Sequence, residues 1–96
     1  MSFTVIASLS VGTKNVQKFE MALKVLTDAT RQEPGCTKYD VHFSSATEGA
    51  YFIIEEYLTH EDYLSHIESQ HIQSFSQIAT HLFKKPLVVL RGTKAW

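Results

Sequence analysis

A single cysteine, Cys36, stands among the 96 residues, so no intrachain disulfide can close and a disulfide-stapled secreted scaffold is excluded. An excess of charge is missing too: nine Lys and Arg against ten Asp and Glu leave a formal net charge of -1. The basic residues are scattered, and Lys84-Lys85 is their one adjacent pair. Nucleic acid and an anionic membrane surface are therefore not expected as partners. No stretch approaches the ~20 consecutive apolar residues of a membrane span. The start, Met1 to Ser8, has neither a basic region nor an unbroken apolar run, so it does not read as a signal peptide. The default location is the cytoplasm. No glycine-rich phosphate loop is visible, and no bound nucleotide or flavin is expected.

The chain is short enough for one domain, residues 1–96, with a modest core. Hydrophobic residues at 44% and charged residues at 20% form an ordinary globular mixture, which argues against disorder.

Phe3, Val5, Ala7, Leu9 and Val11 alternate with Thr4, Ile6, Ser8 and Ser10, predicting a strand that Gly12 ends. Val16, Phe19, Leu23, Leu26 and Thr30 recur at helical steps, with Thr13 or Asn15 as the expected cap. Pro34-Gly35 stops that helix. Thr37, Tyr39, Val41 and Phe43 mark a second strand, and Tyr51 to Leu58 a third, joined as a hairpin. Thr59-His60-Glu61-Asp62 matches a capping box that opens a second helix, and Ser69 to Phe83 is expected to continue as helix. Pro86 precedes a last strand, Leu87 to Leu90. The order βαββαβ predicts a ferredoxin-like α+β fold, a four-stranded antiparallel sheet with helices on one face.

The third strand is apolar on both sides, with Tyr51, Ile53 and Tyr57 on one and Phe52 and Ile54 on the other. A sheet face left to water should carry polar residues. Another copy of the chain is the simplest cover, so a homodimer is expected, with a ligand cavity between the two sheets.

Glu55 and Glu56 are neighbours in that strand and must point to opposite faces. A carboxylate on an apolar face has a raised pKa and can move a proton near neutrality. His66 and His71 would lie about 140° apart on one continuous helix, too far to share a ligand, though a break near Ser69 would bring them together. No metal site is expected. Phe43, Tyr51, Phe52, Tyr57 and Phe75 are candidates to line a pocket for a planar ligand. Cys36 reads as a small buried hydrophobe rather than a reactive thiol.

The run Arg31-Gln32-Glu33-Pro34-Gly35-Cys36-Thr37-Lys38-Tyr39 resembles the R-x-E-P-G-C-x-x-Y signature of the antibiotic biosynthesis monooxygenase family. Phe52-Ile53-Ile54-Glu55-Glu56-Tyr57 is similar to its apolar-strand E-x-W/Y motif, and His66 and His71 to its H-x4-H spacing. The likeness spans residues 3 to 91. It implies a dimeric α+β barrel with a pocket in each subunit, acting on small molecules and in many members using no metal and no organic cofactor. Carried over by position, Glu55, His66 and His71 become the candidate catalytic groups, with Tyr39, Phe43 and Tyr57 as substrate-binding residues. The resemblance selects Glu55 as the pocket carboxylate on the open face and leaves Glu56 toward the helices or the solvent rim. Family members that break down haem rely on an Asn and a Trp where this chain has no Asn and Tyr57, so haem breakdown is disfavoured. Two activities and one bland reading follow: a cofactor-independent monooxygenase of a quinol-like or phenolic molecule, an isomerase of a phosphorylated sugar-like signal, or a non-catalytic binding dimer. The isomerase would need cationic anchors, for which Lys38, Lys84, Lys85 and Arg91 are the candidates.

Overall fold

The alternating and helical patterns fold into eight short elements, seen in a computed structural model that describes residues 2–96. Met1, where the single-domain and leader expectations begin, lies outside the described residues. The elements are β1 (Phe3–Ser10), a 3-10 turn (Thr13–Asn15), α1 (Val16–Thr30), β2 (Cys36–Phe43), β3 (Ala50–Tyr57), α2 (His60–Ile67), α3 (Gln70–Ala79) and β4 (Val88–Thr93). The strands form one sheet in the order β2-β3-β1-β4, and every pairing is antiparallel. The ferredoxin-like expectation holds.

Register decides which side chains share a face. Tyr39 aligns with Glu55, Val5 and Arg91 across the four strands, and Val41 with Ile53, Ala7 and Val89. This face packs against Phe19, Leu23 and Leu26 of α1 and against Ala79 and Leu82. Burying side chains of this size stabilises the fold by roughly 1.5–3 kcal/mol each. The other face carries Asp40, Ile54, Ile6 and Leu90 in one row and His42, Phe52, Ser8 and Val88 in the next. Phe52 is 38% exposed and Leu90 64%, so the described residues leave this face largely uncovered. His42 and Phe52 stack there with parallel rings 4.6 Å apart.

Two glycines hold positions that a side chain could not. Gly49 closes the β2–β3 turn at φ 80°, and a Cβ there would come within 2.5 Å of the Val11 carbonyl oxygen. That carbonyl approach and the positive φ both disfavour any other residue. Gly35 packs directly on Asp62 of α2, where a Cβ would meet the Asp62 side chain at 2.2 Å. The close approach fixes the Arg31–Gly35 turn against the start of α2.

Three local expectations are corrected. Neither the 3-10 turn nor α1 has a side-chain cap, since the 3-10 turn absorbs the chain reversal after Gly12. The helix expected from Ser69 to Phe83 ends at Ala79, and Phe83 instead bridges to Val11. The last strand begins at Val88, one residue later than expected, and runs on to Thr93. The Thr59 cap is present: its hydroxyl accepts from the Asp62 backbone N–H at 3.1 Å.

Candidate active site

Glu55 lies on the helix-covered face, not the open one. Tyr51, Ile53, Glu55 and Tyr57 are all buried, whereas Glu56 sits on the open face, where Lys38 is 3.6 Å from its carboxylate. The expectation that Glu55 faces the open side of the sheet is therefore corrected. Strand parity separated the two glutamates rightly, but it cannot say which face the helices take. The ends of α1, α2 and α3 decide that, because they lay their apolar stripes over the Tyr51–Ile53 face.

The cavity beside Glu55 lies between sheet and helices and has a volume of about 100 Å3. Its wall includes Val5, Tyr39, Ile53, Tyr63, Phe75 and Leu87, with Glu55 and His66 as the polar groups apart from the two tyrosine hydroxyls. Among the described residues lining it, none is Lys or Arg. Arg91 stands behind the wall, 3.5 Å from the Tyr63 hydroxyl.

Burial acts on these two groups in opposite senses. Desolvation raises the Glu55 pKa to about 7, against the hydrogen bond it accepts from Tyr57 and with added repulsion from Glu33. The Tyr57 hydroxyl donates to Glu55 Oε1 at 2.6 Å. Burial pushes the Tyr57 phenol well above its usual range, so it remains an O–H donor. His66 moves the other way: burial lowers its pKa below the ordinary histidine value, opposed by Glu33. Near neutral pH the cavity therefore holds an uncharged imidazole and a carboxyl group close to half protonated.

A break between α2 and α3 places the histidines. Glu68 ends α2, and Ser69 takes an extended conformation with its hydroxyl capping Ile72 N–H at 3.3 Å. The same hydroxyl donates to the His66 carbonyl at 2.6 Å. The kink turns His66 and His71 onto one residue, Glu33. His66 Nδ1 lies 2.8 Å from Glu33 Oε2, and His71 Nε2 lies 2.5 Å from the same oxygen. An ionised carboxylate offers only lone pairs, so each ring must present an N–H to it. His66 then carries its proton on Nδ1 and leaves Nε2 unprotonated. That is the arrangement of a general base held by an orienting carboxylate.

Glu33 is the residue that the sequence reading missed as part of a site. In the sequence it stands only within the Arg31–Tyr39 run. Its signal was its place just before Pro34-Gly35, in a turn tied by the Cys36 N–H to the Glu33 carbonyl at 3.2 Å. The remaining candidates divide. Tyr39 lines the cavity, and Tyr57 anchors Glu55 from behind the wall. His71 reaches Glu33 but does not line the cavity. Phe43 is 73% exposed and borders a separate groove beside α1, so its pocket role is corrected. Tyr51 borders that same groove and donates to Glu20 at 2.8 Å, and Phe52 lies on the open face. Cys36 has its thiol pKa raised to about 11, chiefly by burial, which fits an inert side chain.

A partly open apolar cavity thus brings one imidazole and one raised carboxyl together on a ferredoxin-like sheet. The chain belongs to the antibiotic biosynthesis monooxygenase family, whose sequence model matches residues 2–77. Solved structures agree on the fold. A Nitrosomonas europaea protein described as a candidate antibiotic biosynthesis monooxygenase is 20% identical, with a TM-score of 0.93 over 99% of this chain and 91% of that one. A Mycobacterium tuberculosis protein is 22% identical, with a TM-score of 0.92 over 98% and 95%. A conserved Methanosarcina mazei protein is 23% identical, with a TM-score of 0.93 over 98% and 93%. No curated protein matches the chain. Among the described residues, no helix is long and apolar enough to cross a membrane.

Proposed function

We propose that the protein is a cofactor-independent monooxygenase of a single-ring quinol-like or phenolic molecule. One observation carries this reading: a neutral His66 and a near-neutral Glu55 share an apolar, aromatic-walled cavity. His66 Nε2 takes the phenolic proton. The resulting electron-rich ring then reduces dioxygen, and a carbon–oxygen bond forms. Glu55, when protonated, supplies the proton with which the second oxygen atom leaves as water. For a hydroquinone the balance is hydroquinone plus dioxygen giving hydroxyquinone plus water. Glu33 and His71 act as positioning residues.

Size points to one ring. An apolar cavity of about 150 Å3 is known to admit benzene. The cavity here is about 100 Å3, so a ring enters when Ile67 or Leu87, both exposed wall residues, swings outward. The isomerase reading receives no support, because an anionic phosphate would meet a carboxyl and no lining cation. The test is oxygen uptake with single-ring hydroquinones and phenols in the presence of a chelator. Uptake with a stoichiometric product is expected, hydroxyquinone from a hydroquinone and quinone from a simple phenol. Turnover of sugar phosphates alone would overturn the reading.

The same reading makes the protein a homodimer through the open sheet face, since Ile6, Phe52, Val88 and Leu90 form an apolar surface that water would otherwise cover. Sedimentation at micromolar concentration is expected to give twice the chain mass. A single-chain mass would contradict it.

A further inference from the structure

We propose that Glu33, His66 and His71 bind a divalent transition ion of the Zn2+ class, and that the ion switches the site off by reversing the His66 tautomer. The binding half stands on geometry alone; the switching half rests on the monooxygenase reading.

One ligand atom from each of the three residues lies within 4.8 Å of the others. Both ring nitrogens already converge on one carboxylate oxygen, at 2.8 and 2.5 Å. Bonds of 2.0–2.1 Å in a tetrahedral zinc site set neighbouring ligand atoms roughly 3.4 Å apart. The side chains must therefore open by less than ~1 Å to admit an ion. The three ligands come from three separately fixed places: the Pro34-Gly35 turn, the end of α2 and the start of α3. Gly35 locks the first against Asp62, and the Ser69 cap locks the break between the other two. Such preorganisation lowers the cost of assembling a site.

The donor set chooses the metal. Two imidazoles and one carboxylate suit zinc and its first-row neighbours, whereas Ca2+ and Mg2+ want oxygen ligands. Access is also present. Glu33 borders a cleft of about 240 Å3 shared with Pro34, Gly35, Asp62, Ser65 and Ser69. His66 is 3% exposed, but Glu33 is 16% and His71 25%, so an ion can enter from that side.

The switch follows from proton bookkeeping. A neutral imidazole that gives its Nδ1 lone pair to a metal must hold its proton on Nε2. The ring keeps one proton, moved from one nitrogen to the other. His66 Nε2 then becomes a donor and can no longer accept the phenolic proton. The ion thus competes with the Glu33 hydrogen bond that makes His66 a base.

The test is calorimetric titration of the chelator-treated full chain with ZnCl2. Binding of one ion per chain with Kd of about 10 µM or tighter is expected, and none with MgCl2 or CaCl2. Glu33→Gln and His71→Ala, each checked for folding by circular dichroism, should weaken binding by at least ~100-fold, since even outer-shell changes cost 10–100-fold. His81→Ala, an exposed control, should leave it unchanged. Absent binding, or binding equally tight in both ligand variants, would overturn the site. If zinc binds as expected but leaves oxygen uptake undiminished, the switch fails while the site stands. If no uptake is found with any phenol, the monooxygenase reading fails and the titration still decides the site.

Discussion

His66→Ala is expected to lower turnover on the substrate by ~10²–10⁴, with a much smaller change in KM, the usual loss when a positioned base is removed. The imidazole is the one basic nitrogen among the side chains lining the cavity, and burial keeps it neutral at pH 7. A folded His66→Ala variant with full activity would assign His66 to packing alone. Glu33→Gln should give a milder loss, because its amide nitrogen can present N–H to His66 Nδ1 and favour the wrong tautomer. Glu33 thus reads as a positioning residue, and its effect should appear in turnover and in the histidine tautomer together.

Glu55→Gln is expected to stabilise the protein at pH 8 while abolishing the acid limb of catalysis. In the unfolded chain Glu55 ionises with a pKa of 4.5; in the folded chain it does so near 7. A raised carboxyl pKa means that the folded state binds the proton more tightly. Stability is therefore lost as pH rises from about 4.5 through 7, and the full penalty applies above 7. Each pKa unit is worth ~1.4 kcal/mol, so the penalty at pH 8 is about 3 kcal/mol. Glu55 is 5% exposed, so solvent screening does little to reduce it. Glutamine keeps the shape and can still accept from Tyr57, but carries no charge. Urea midpoints at fixed protein concentration should show the variant ahead by about 2–3 kcal/mol at pH 8 and level with wild type near pH 4. A variant less stable than wild type at pH 8 would show that the carboxylate is stabilised in the fold. His66 contributes with the opposite sign: its lowered pKa costs stability as pH falls below 6.5.

The sequence carried the sheet almost whole, because period-two alternation in Phe3–Val11 and Tyr51–Tyr57 is a local property of the strands. It carried the Thr59 cap for the same reason. The family likeness also named Glu55, His66, His71, Tyr39 and Tyr57 as candidate site residues. What the sequence could not carry was non-local. Parity placed Glu55 and Glu56 on opposite faces, but only helix docking shows that Glu55 takes the covered one. The helical period put His66 and His71 far apart, and the Ser69 cap, a local hydroxyl competing with helix continuation, reunites them. Glu33 was invisible as a partner because 33 and 38 residues separate it from the two histidines. Phe43 looked like a pocket residue by aromatic type, yet it lies at the far end of β2 from Glu55.

The central claim is that Glu33 holds His66 as a neutral imidazole with its proton on Nδ1. Nitrogen-15 NMR of the histidine side chains, in chelator-treated protein at pH 7, tests it most directly. His66 is expected to show a protonated Nδ1 and a bare Nε2, and Glu33→Gln to lose this preference. A His66 protonated on Nε2, or charged on both nitrogens, at pH 7 would contradict it.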